Sequence, residues 1–136
     1  MKIKLPNIKL KRTVPDYLKD RDNLTKKEFA KKYFGDDKLL ETIAIEFKEH
    51  LEKMYNLDLS GLHPDDRLCD VIGAPIEKDE ILDGYDTVAS RVKKTLNLYI
   101  DCKPFEKYLK YSKWDKTAIR YRSFGSLVRE IAKYKK

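Results

Sequence analysis

The stretch from Lys38 to Tyr55 constrains the fold more than any other. Its apolar residues Leu40, Ile43, Phe47, Leu51 and Met54 recur at intervals of three and four, the spacing that lines one face of a helix. A helix with one such stripe must bury it against another element. Three more helices are signalled. Thr25 with Glu28 forms a capping-box pattern, flanked by Leu24 and Phe29 at the positions of a hydrophobic staple. That helix is predicted to run to Phe34 and to stop at Gly35 in a left-handed cap. The long helix begins near Asp36 or Asp37. Asp83 is predicted to cap a third, with Val88, Val92, Leu96 and Tyr99 as its buried stripe. Ser123 is predicted to cap the last, with Phe124, Leu127, Val128 and Ile131 facing inward. Between them, Pro64 is expected to open a single turn through Asp65 to Leu68, and Pro75 to end the loop segment that follows. Four separated stripes bury one another most simply in a small antiparallel bundle, so the expected fold class is all-α.

With 136 residues the chain can bury about two-thirds of its unfolded surface in a single core, so one domain is expected. Residues 1–23 read as a basic N-terminal arm and residues 24–136 as the helical domain. Residues 2–14 alternate lysine with apolar residues, which suits either an edge strand or a disordered arm. Pro104 to Tyr111 is compatible with a short helix, and Thr117 to Tyr121 alternates like a short strand. No apolar run is long enough to cross a bilayer, and the start lacks the apolar core of a secretory signal, so the expected location is the cytoplasm. Cys69 and Cys102 are too few and too isolated for a disulfide framework or zinc site and read as reduced thiols.

Charge is unevenly distributed. Residues 1–35 carry a net +7, residues 36–86 a net −10 and residues 87–136 a net +10. The acidic middle contains Asp83-Gly84-Tyr85-Asp86-Thr87-Val88, which leads into Val92 to Asp101. Before it stand the Lys38–Tyr55 helix, Leu57-Asp58-Leu59 and Leu62-His63-Pro64-Asp65-Asp66-Arg67-Leu68. After it comes Ser123-Phe124-Gly125-Ser126-Leu127-Val128-Arg129-Glu130-Ile131. These three stretches, in this order over roughly residues 38 to 134, resemble the acyl carrier proteins: their first helix and long loop, their "asp-ser-leu" second helix, and their closing helix. In that resemblance Gly84 occupies the position of the serine that carries phosphopantetheine. Glycine has no hydroxyl to load, and neither Ser60 nor Ser90 reproduces the geometry. The resemblance therefore implies a member of the fold that is not acylated and has no cofactor. It implies non-catalytic binding to a protein partner in a bacterial pathway, with Asp83, Tyr85, Asp86 and Arg91 as the partner-binding candidates. Arg91, Lys93 and Lys94 depart from the family, which typically offers carboxylates to partner enzymes on that helix.

Catalytic readings find little support in the residues. Asp65 with Asp66, and Asp83 with Asp86, read as caps and solvated loop charges rather than acid–base pairs or a cation site. His50 is assigned to the outer side of its helix and His63 to a loop. Neither joins a cysteine or serine constellation, and no phosphate loop or histidine–glutamate metal motif is present. No enzyme activity, no metal and no small-molecule substrate are expected. The alternative function is nucleic-acid binding through residues 103–122, where seven basic residues interleave with five aromatics. Its candidates are Lys107, Lys110, Lys113, Trp114, Arg120 and Arg122, with cations meeting phosphates and aromatic faces stacking on bases. Membrane docking ranks below both, because the segment lacks the cleanly apolar face of an interfacial helix.

Overall fold

The computed structural model describes residues 21, 23–35, 37–72, 78–101, 103 and 122–136. Among the described residues five helices are delimited, in chain order: α1 Lys26–Phe34, α2 Lys38–Tyr55, α3 Leu68–Ile72, α4 Lys78–Leu96 and α5 Phe124–Ala132. Among the described residues there is no sheet, and the β-type pairings are two isolated bridges, Arg67 with Ser123 and Ile100 with Lys135. The fold is a small all-α bundle. The alternating stretches 2–14 and 117–121 and the 104–111 helix lie outside the described residues, as do Pro75 and Cys102.

Local chemistry sets most helix ends. Thr25 Oγ1 accepts from Glu28 N–H, and the Glu28 carboxylate accepts from Thr25 N–H, both at 3.1 Å, closing the expected capping box. Asp37 caps α2 by accepting from the N–H groups of Leu39 and Leu40 at 2.8 and 3.3 Å. Asn56 ends α2 in the left-handed conformation, φ 52°, which asparagine tolerates better than most residues. Gly35 differs from expectation: its φ of −66° and ψ of −9° are right-handed, and glycine serves there by its lack of a Cβ, which would collide with the Lys31 carbonyl oxygen. Ser123 caps α5 by accepting from Ser126 N–H at 3.2 Å.

The apolar stripes meet in one cluster. Ile43, Phe47 and Leu51 of α2 are buried, with Leu40 and Met54 partly covered at its margin. Phe124, at the start of α5, lies where three helices converge. Its ring stacks on Phe47 at 5.5 Å and meets Phe29 and Phe34 of α1 edge-on at 5.6 and 6.5 Å, arrangements that aromatic quadrupoles favour. The loop before α3 receives the N-terminus of α5. Gly125 N–H donates to Pro64 O at 2.8 Å and Phe124 N–H to Asp66 O at 3.0 Å. Tyr99 does not extend the α4 stripe. The helix stops at Leu96, Asn97 turns left-handed at φ 54°, and Tyr99 is 53% exposed.

Candidate functional site

The candidate surface is the seam between α2 and α4, and it depends on where α4 begins. Asp83 is not its cap. The helix starts at Lys78, so Asp83 lies in the second turn. Ile81, Tyr85, Val88 and Val92 are all buried, and their spacing of four, three and four carries the apolar stripe to two residues upstream of Asp83. Gly84 is consequently interior to a helix, and buried. A Cβ on Gly84 would sit 3.0 Å from His50 Cδ2 and 3.3 Å from Phe47 Cε1. Its role is close approach of two helices, not a tight turn into one, and that approach offsets the roughly 1 kcal/mol that glycine costs inside a helix.

The same approach buries His50, which corrects its assignment to the outer side of α2. The side chain is 12% exposed, and Nε2 lies 3.9 Å from Asp83 Oδ2. Nε2 is buried without a hydrogen bond. Burial lowers the imidazole pKa from its usual value, with the Asp83 charge opposing in part. A void of about 50 Å³ beside the ring is lined by Glu46, Glu49, Lys53, Thr87 and Arg91. Glu49 stands between Lys53 at 2.9 Å and Lys26 at 3.0 Å, and these two ammonium groups, Lys53 foremost, hold its carboxyl down to about 2.

The four partner-binding candidates separate. Asp83, Asp86 and Arg91 are exposed on α4, and Arg91 Nε faces Glu46 Oε2 across the seam at 4.0 Å. Tyr85 is fully buried, and its hydroxyl donates to the carbonyl of Asp101. It supports the surface from beneath and offers nothing to a partner. The missed signal was in the sequence: Tyr85 falls four after Ile81 and three before Val88.

Of the nucleic-acid candidates, Lys107, Lys110, Lys113, Trp114 and Arg120 lie outside the described residues. Arg122 turns onto α5, donating from Nε to Ser126 Oγ at 2.6 Å and lying 3.8 Å from Glu130 Oε1. His63 is half-buried in its loop, edge-on to Tyr33 at 4.9 Å. Cys69 is a free, half-buried thiol whose pKa is raised, by burial first and then by Asp70. Among the described residues no group of three His, Cys, Asp or Glu side chains could hold a metal ion, and no helix is long and apolar enough to cross a membrane. Compared with protein-family models, curated proteins and solved structures, the chain matches none.

Chemically, the seam is a closely packed contact between two helices. The imidazole in it has Nε2 sealed from solvent, and accessible charges around it include Asp83, Asp86 and Arg91 on α4 and Lys53 on α2.

Proposed function

We propose that the chain is a non-catalytic protein-binding module, a carrier-like bundle that is not acylated, and that it meets its partner through the exposed turns of α4. The observation that carries this reading is the placement of Asp83, Asp86 and Arg91. Charges in the first and last turns of a helix are accounted for by its dipole, whose influence falls off within those turns. In a helix spanning Lys78–Leu96, these three residues lie between the two ends. Asp83 and Asp86 lie on the solvent side of the helix and Arg91 at its α2-facing edge, in line with Gly84, while Tyr85, Val88 and Val92 fix the side opposite the two acids. An acidic face with a cation at its edge selects a partner of the reverse arrangement and steers its approach. The Arg91–Glu46 pair does not consume this capacity, since an exposed pair of that length contributes between zero and about 1 kcal/mol.

The test is recovery of the partner from native extract with wild-type protein and with Asp83→Lys/Asp86→Lys. The reading expects a protein recovered by the wild type, resistant to nuclease, and lost from the variant while its thermal transition is kept. Equal recovery by both rejects α4 as the contact, and loss on nuclease treatment rejects the protein partner.

A further inference from the structure

We infer that the cleft between α1 and the loop that follows α2 is a binding site for a small organic anion, one carrying a carboxylate or phosphate on an apolar or aromatic body. The cleft encloses about 390 Å³, within the range of small-molecule sites, about 300–1,000 Å³. Lys32 and Tyr33 of α1 form one wall, Gly61, Leu62 and His63 the loop side, and Arg21 with Leu24 close it.

Among the described residues its charged side chains, Arg21 and Lys32, are cations, and the Tyr33 hydroxyl adds a neutral polar group. His63 Nδ1 accepts from Asp65 N–H at 3.1 Å, so a neutral ring carries its proton on Nε2 and that nitrogen donates. Among the described residues no carboxylate lines the cleft. Of the two nearby acids, one pairs with Arg21 and the other faces solvent. Asp66 Oδ2 accepts from Arg21 Nη1 at 2.6 Å and from His63 N–H at 2.8 Å, acting as the clamp that shapes the loop. Asp65 lies 3.6 Å from His63 Nδ1, on the side away from the donating nitrogen, and its side chain is 92% exposed.

The walls are held before any ligand arrives, which lowers the ordering cost of binding. Arg21 Nη1 also donates to Gly61 O at 3.2 Å, and Leu24 N–H donates to Ser60 O at 3.4 Å. The Lys32 ammonium stands 5.3 Å from the centre of the Tyr33 ring. A cation beside an aromatic wall, with Leu24 and Leu62 adjoining, matches a ligand whose charged group and apolar body are directly bonded. None of these residues belongs to the α4 ridge, so the site stands or falls independently of the proposed partner contact.

The test is an amide-resolved NMR titration of the full chain with phenyl phosphate at about 0.15 M ionic strength, where weak surface attraction is screened within about 8 Å. Saturable shifts are expected at Tyr33, Gly61, Leu62 and His63. Inorganic phosphate and phenol, each lacking half of the ligand, are expected to bind at least about tenfold more weakly, a difference of about 1.4 kcal/mol. Lys32→Glu is expected to weaken phenyl phosphate by a similar factor with the helical spectrum unchanged, and Lys32→Gln to weaken it less. Shifts that never saturate and spread over the lysine-rich surface would overturn the site. Equal affinity in both Lys32 variants, or equal binding of inorganic phosphate, would overturn it as well.

Discussion

A serine at position 84 would point its side chain at His50, not at solvent, because the Cβ direction from Gly84 ends 3.0 Å from that ring. On the proposed carrier-like reading, a hydroxyl added there therefore supplies no exposed attachment point. Wild-type protein and Gly84→Ser, each incubated with a phosphopantetheinyl transferase and coenzyme A, are both expected to keep their intact mass. A gain of the pantetheine arm in the variant would mean that this turn of α4 opens to solvent. Lys48 shows a second case in which burial, not residue type, sets the role. It is 1% exposed, bonded to Glu52 at 3.3 Å and placed 5.7 Å from the Phe29 ring centre. Glu52 uses its other oxygen to accept from Leu59 N–H at 3.1 Å, tying the loop to the end of α2. Removing one partner of a buried pair leaves the other charge stranded, at a cost of about 3–5 kcal/mol. Glu52→Ala is expected to lose stability on that order in denaturant unfolding. Lys48→Met, which leaves Glu52 partly solvated and still bonded to Leu59, is expected to lose much less. Equal losses would show that the pair does not act as described.

Among the elements, α4 and its seam with α2 respond to acid in two windows. His50 has a folded pKa below its unfolded value of 6.5, so the unfolded chain binds its proton first as pH falls. The stability this contributes is complete above pH 6.5 and is lost as pH drops through the lower folded value. The charged groups around it are Asp83 and Arg91 from α4 and Glu46, Glu49 and Lys53 from α2. Glu49 acts lower. Its carboxyl is held at about 2 against an ordinary 4.5, so its contribution is lost as pH falls below 4.5. Unfolding free energy measured against pH is expected to decline as pH falls below 6.5 in the wild type and to decline less steeply there in His50→Gln. Identical slopes would remove His50 as the cause. The seam also shows what was legible beforehand. The Thr25–Glu28 box, the Asp37 cap with its stripe, and the Ser123 cap were readable because each is settled within a few residues. The start of α4 was not, because Asp83 has the chemistry of a cap and drew the boundary onto itself. Ile81 continued the stripe upstream and Gly84 gave no sign of burial. His50 and Tyr85 were misplaced for a related reason: their burial is created by a crossing of helices distant in sequence. The cleft joining positions 21, 33 and 63 had no linear signal at all.

The helices form one bundle whose apolar cluster runs from Phe29 in α1 to Ile131 in α5, built from a chain whose charge is strongly segregated along the sequence. Segregation of that size was readable from the sequence. Its meaning depended on which charged side chains the packing leaves outside. On this view the four residues that seemed a single contact set are two classes. Asp83 and Asp86 face solvent with Arg91, and Tyr85 secures the helix that presents them. The affinity of the recovered partner, measured by titration calorimetry beside the thermal transition of each variant, separates the classes. Tyr85→Phe, which keeps the ring and loses the bond to Asp101, is expected to lower the transition while leaving Kd unchanged. Asp83→Lys/Asp86→Lys is expected to keep the transition and raise Kd at least about tenfold, or about 1.4 kcal/mol. An unchanged Kd in the charge-reversed variant, or a Kd that follows stability alone across both, would contradict binding through α4.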